Sequence, residues 1–154
     1  MLRNPLVWLI ILGTIAALAG VGAVYWSFIP KGSANPNDPA QVAAGKTIYM
    51  AQCASCHGAA LEGQPNWRVR RPDGKLPAPP HDANGHTWHH ADPVLFNITK
   101  RGPRALAGMQ YKTDMLPYAG VLSDDEIWAA LAYIKSTWPP AIKRRQDATN
   151  QRSR

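Results

Sequence analysis

Cys53-Ala54-Ser55-Cys56-His57 is the stretch from which the rest of the chain is read. Its pattern, C-x-x-C-H, is the attachment signature of a c-type haem. Two thiols three positions apart can each form a thioether to one vinyl group of the same porphyrin. The histidine that follows is then held under the iron as a nitrogen ligand. Gly58 comes next, where a side chain would crowd the ring. Competing chemistries fit less well. A zinc site needs about four ligands, usually with a second Cys/His pair; the chain has 2 cysteines and both lie in this motif. A redox C-x-x-C follows a strand in a βαβ setting, and no such pattern precedes Cys53.

Immediately upstream, Pro39 to Ala54 reads as the helix that delivers the motif. Asp38 is a suitable N-cap, with Pro39 at the first helical position. Val42, Gly45, Ile48, Tyr49 and Gln52 recur at helical spacing. A glycine inside a helix costs about 1 kcal/mol against alanine, so Gly45 predicts close approach of another helix. The partner lies near the other end of the chain. Ser123-Asp124-Asp125-Glu126 is a capping box whose acidic residues also suit the helix dipole. Ile127, Leu131 and Ile134 form one apolar stripe, flanked by Trp128 and Tyr133, and Trp138-Pro139-Pro140 ends the helix. The two helices are expected to cross with Tyr133 near Gly45 and Tyr49.

This arrangement resembles a class I (mono-haem) cytochrome c of the membrane-anchored bacterial type. The likeness runs over about residues 40–138: a short helix into C-x-x-C-H-G, a loop-rich middle, and a methionine ahead of L-S-D-D-E-I-W-A-A-L-A-Y-I-K. The resemblance implies an all-α cytochrome c fold wrapped around one covalent haem c. It implies one-electron transfer rather than enzymatic bond chemistry, with Cys53 and Cys56 as the thioether carriers, His57 as one axial ligand and a methionine sulfur as the other. The family's methionine usually sits in an M-P-x-F-like loop a fixed distance before the last helix. Here Leu116 stands between Met115 and Pro117, yet the distance from Met115 to Ser123 fits, so Met115 is the expected ligand. Met50, one turn before Cys53 on the same helix, is unsuited to reach the far side of the iron, and Met109 reads as core filling. In the family a loop proline offers its carbonyl to the ring N–H of the first axial histidine. In Leu76-Pro77-Ala78-Pro79-Pro80, Pro79 and Pro80 both qualify.

The middle of the chain is less specific. Trp67, with Arg68, Arg70 and Arg71, suits either contact with a haem propionate, one arginine neutralising it, or a solvated loop. His81, His86, His89 and His90 fall within ten residues, and H-x-x-H-H spacing can bring two imidazoles together for a metal such as copper. A haem-pocket role is the expectation here rather than copper. A helix from Asp92 to about Arg101 carries Val94, Leu95 and Ile98 on one side, expected over the distal haem face. Lys100, Arg101 and Arg104 follow, suited to a propionate or an acidic partner surface.

Working outward to the ends, Leu6 to Ile29 contains no charge over about 24 residues, long enough to span a bilayer core. Tyr25, Trp26 and Phe28 resemble an interfacial aromatic belt, and the apolar run continues past Val21-Gly22-Ala23, the one plausible cleavage site. Residues 1–29 are thus expected to be an uncleaved single transmembrane helix, 30–39 a Pro/Gly/Asn-rich linker, 40–138 the cytochrome domain and 139–154 a disordered basic tail. Of the +7 formal charge, residues 139–154 carry five basic groups against one acidic, while 40–138 carry ten against eight. The globular part is nearly balanced and shows no basic-aromatic platform, which argues against nucleic acid. Maturation of this family on the outer face of energy-conserving membranes implies an inner-membrane protein with its haem domain in the periplasm. The partners the family implies are a quinol:cytochrome c reductase and a terminal oxidase. The alternatives are a cytochrome subunit of a periplasmic dehydrogenase and a haem-based sensor with a displaceable sixth ligand.

Overall fold

In a computed structural model that describes residues 32–153, the first element is helix α1 (Pro39–Gln52). Its start follows from local chemistry. The Asp38 carboxylate accepts from the amides of Ala40 at 3.0 Å and Gln41 at 3.2 Å, filling orphan donors of the first turn. One turn, α2 (Ala54–His57), follows directly. Helix α3 (Asp92–Arg101) comes next, then the single turn α4 (Arg104–Ala107), then α5 (Asp124–Ser136). Among the described residues helices are the only extended regular elements, and Ala119 and Leu122 make an isolated bridge. The expected all-helical class therefore holds for the described residues.

Helix α5 is set by the predicted capping box. The Ser123 hydroxyl accepts from the Glu126 amide at 3.3 Å, and the Glu126 carboxylate accepts from the Ser123 amide at 2.8 Å. The α1–α5 pair is the most extensive helix contact of the domain. At its centre the backbones approach so closely that a Cβ on Gly45 would overlap the Ala129 carbonyl and lie 3.0 Å from the Tyr133 Cβ. Tyr49 and Tyr133 rings meet at 5.4 Å. Tyr49, Ile127, Leu131, Ile134, Trp138, Leu95 and Leu61 form the core. Burying each such aliphatic side chain is worth roughly 1.5–3 kcal/mol. Leu95 thus joins the core between helices, and Phe96 beside it stacks on Trp128 at 4.4 Å.

Two end segments differ from expectation. The tail expected to be disordered forms helix α6 (Pro140–Arg152). Pro140 suits the first turn, but polar groups hold the helix down. Gln146 is fully buried and its amide donates to the Asp92 carboxylate at 2.6 Å. The Asn150 side chain accepts from the Asp92 amide at 2.7 Å, and Lys135 pairs with Asp92 at 2.6 Å. The linker also docks from Ser33 onward. Ala34 is buried, and the buried Gln41 amide accepts from the Asn35 N–H at 2.8 Å while donating to the Ser33 carbonyl at 2.7 Å. The apolar span Leu6–Ile29 lies outside the described residues; among those described, no helix is long and apolar enough to cross a membrane.

Candidate haem-attachment site

Cys53 caps the end of α1 and opens α2, donating its amide to the Tyr49 carbonyl at 2.8 Å. The single turn brings both thiols and His57 into one short segment. Cys56 is exposed and Cys53 is half-buried. Burial, and then the neighbouring Cys56, push the Cys53 thiol up to about 11, so it stays protonated near neutral pH. The turn stops at Gly58, whose carbonyl accepts from the buried Tyr49 phenol at 2.8 Å. The phenol thereby ties the attachment turn to the α1–α5 core, and burial raises its own pKa well above the ordinary tyrosine value.

The His57 ring is buried and oriented. Its Nδ1 lies 2.8 Å from the Pro79 carbonyl oxygen. A carbonyl can only accept, so Nδ1 carries the hydrogen and Nε2 keeps the lone pair needed by a metal. Burial lowers the imidazole pKa, outweighing the opposing effect of the Pro79 carbonyl, and so favours the neutral, ligating form. Of the two prolines the sequence left open, the bond falls to Pro79. The loop that carries it is held close. The Gln64 amide donates to the Ala78 carbonyl at 2.9 Å, and the His81 amide to the Leu61 carbonyl at 2.8 Å. Gly63 and Gly85 lie against the same loop: a Cβ on Gly63 would come within 2.7 Å of the Pro79 carbonyl carbon, and one on Gly85 would overlap the Pro80 carbonyl.

The four loop histidines do not converge on a metal. Among the described residues no three His, Cys, Asp or Glu side chains are grouped to hold one. They pair instead with other rings. His81 stacks on His57. His86 stacks on Trp67 at 5.3 Å, with the Arg68 guanidinium 4.0 Å over that indole. His89 stacks on Trp88, with Arg145 of α6 5.8 Å from the Trp88 ring. Trp67 therefore contacts both the Arg68 guanidinium and the His86 ring. Lys100 pairs with Asp124 in the first turn of α5 at 2.6 Å. Arg104 donates through Nε to the Tyr111 carbonyl at 3.2 Å, so it braces the loop ahead of Met115.

Met115 is half-buried in the extended stretch between α4 and α5. Its amide donates to the Thr113 hydroxyl at 3.0 Å. Sequence reasoning missed what holds this loop. Asp114 is paired by Lys75 and Arg71, whose hydrogen bonds keep its carboxyl below the usual range. Beyond Met115, the Tyr118 amide donates to the Thr99 carbonyl at 3.1 Å, and the Tyr118 phenol to the Gln52 carbonyl at 2.5 Å. The loop is thus fastened to α3, to the end of α1 and to the Arg71–Lys75 turn. Met109 is 79 % exposed, not the core filler expected of it.

Two free thiols and a neutral imidazole with one nitrogen already engaged are the donor set that covalent haem attachment requires. The residues fit the group. This is the class of helical, haem-carrying electron-transfer domains. Residues 42–138, well over half of the chain, match the family model described as Cytochrome c, and the chain belongs to that family. No curated protein and no solved structure matches it. Members of the family bind haem c covalently, typically through C-x-x-C-H, and Cys53 and Cys56 are consistent with that role. The family assignment makes this an electron-transfer haem protein.

Proposed function

We propose that this chain is a membrane-anchored, mono-haem class I cytochrome c of bacterial type. It carries single electrons between respiratory membrane complexes on the periplasmic face of the inner membrane. One observation supports it most: the His57 ring is fixed by the Pro79 carbonyl at 2.8 Å, directly after two unpaired cysteines. Cys53 and Cys56 form the thioethers, and His57 and Met115 are the axial ligands. The haem supplies one-electron exchange between ferrous and ferric iron. The chain's part is to orient His57, to fasten the Met115 loop and to exclude water from the iron. A thioether ligand favours the ferrous state, so the potential is fairly positive. A quinol:cytochrome c reductase is the donor and a terminal oxidase the acceptor. Leu6–Ile29, uncharged throughout, supports a single-pass anchor.

Visible spectra of the full-length protein beside Met115→Ala test this reading. The native ferric protein is expected to show the weak far-red sulfur-to-iron band, which the variant loses. Only the reduced variant is expected to bind CO. A native protein that lacks the band and binds CO has an open distal side and is a ligand sensor rather than a carrier. Stoichiometric co-purification with a dehydrogenase replaces the oxidase with that partner.

A further inference from the structure

The imidazole of His57 is constrained from two directions. At its edge stands the Pro79 carbonyl. Over its face lies His81, with ring centroids 4.0 Å apart and planes inclined by 25°. Flat rings at that distance are in van der Waals contact, so neither can rotate without the other moving. His81 is itself held at three points. Its Nδ1 meets the Thr87 hydroxyl at 2.8 Å. Its amide donates to the Leu61 carbonyl at 2.8 Å, and its carbonyl accepts from the Trp138 indole N–H at 2.7 Å. The edge of the Tyr49 ring closes another side at 6.2 Å. Thr87 is buried, and Trp138 belongs to the core. A hydrogen bond at Nδ1 restrains the His57 ring plane but leaves a rocking motion about that bond. A ring stacked on the face opposes that motion.

We infer that His81 is a positioning residue for the haem iron's histidine ligand: stacked on His57 and anchored through Thr87, it locks the plane of the ligating imidazole. The inference rests on the reading of His57 as an axial ligand. It concerns the orientation of that ring, since the carrier reading requires only that the ring binds.

The experiment is low-temperature electron paramagnetic resonance of the ferric, full-length holoprotein, comparing wild type with His81→Leu, His81→Phe and Thr87→Val. Low-spin ferric haem reports ligand-plane orientation in its principal g-values. Wild type is expected to give one narrow low-spin species. His81→Leu keeps the bulk but not the flat face, and is expected to shift and broaden the largest g-value. His81→Phe restores the flat face but not the bond to Thr87, and is expected to narrow the line only to the width seen in Thr87→Val. Thr87→Val keeps the stack but frees Nδ1, and is expected to broaden the line to an intermediate extent; it also serves if the leucine variant fails to load haem. Identical g-values and widths in all four proteins overturn the role of His81 while leaving His57 as ligand. A wild-type protein with no low-spin signal overturns the axial-ligand reading and the inference with it.

Discussion

Gly45 and Ala129 touch backbone to backbone across the α1–α5 crossing, with no room for a Cβ on the glycine. Filling a tight crossing forces helices apart or side chains off their rotamers, at roughly 1–3 kcal/mol and sometimes more. The helix propensity gained by alanine, about 1 kcal/mol, does not offset this. Gly45→Ala is therefore expected to destabilise the domain by about 2 kcal/mol, read from the urea midpoint. A variant as stable as wild type, or more so, would show that the crossing has slack.

The network that fastens α6 is polar. Lys135 is 6 % exposed at its side chain and pairs with Asp92, which also accepts from Gln146. Removing one member of a buried pair strands the other, at about 3–5 kcal/mol when burial is complete. Asp92 keeps some solvent, at 19 % side-chain exposure, so Lys135→Met is expected to cost somewhat less, about 2–3 kcal/mol. Gln146→Leu is expected to speed hydrogen exchange along Pro140–Arg152 while leaving α1 and α5 protected. Equal exchange in both proteins would mean that Ile142, not the amide network, holds the helix.

Stability is expected to fall on mild acidification. Burial lowers the His86 pKa, helped by His90, His89 and Arg68, and burial with His89 lowers that of His90. The unfolded chain binds protons near the ordinary value of 6.5, and the folded chain resists. The unfolded state then carries more protons, so stability rises with pH through this window and is lost as pH drops below it. The urea midpoint is expected to be lower at about pH 5.5 than at about pH 7.5, and His86→Gln to narrow the difference. A difference untouched by His86→Gln would place the sensitivity elsewhere.

Much of this fold could be read directly, because the signals were local. Asp38, the Ser123–Glu126 box and the unexplained Gly45 each announce a helix start or a close crossing within a few residues. What escaped depends on pairs distant in sequence. Pro79 and Pro80 are chemically alike, and the Gln64–Ala78 and His81–Leu61 bonds decide which one faces His57. The α6 segment was mistaken for a free tail because its buried anchor is an amide, Gln146, and apolar periodicity does not register amides. The linker hid for the same reason, since Gln41 is what docks it. Asp114, three positions from a proline and flanked by threonine and methionine, gave no sign of its partners some forty residues upstream. The histidine run announced itself, and a haem-pocket role was expected of it rather than copper, but its spacing gave no sign of the ring stacking that the fold makes of it.

The bond that orients His57 ends on a main-chain oxygen. Every amino acid at position 79 supplies one, so no point mutation there deletes the acceptor, and the contact is robust to inherited change. The vulnerability moves to Gly63 and Gly85, the two places where the Pro79–Pro80 backbone is approached too closely for any side chain. A survey of variants would therefore find the ligand geometry most fragile at two glycines, only one of which touches the ligand residue at all, through the Gly63 amide on the His57 carbonyl at 2.7 Å.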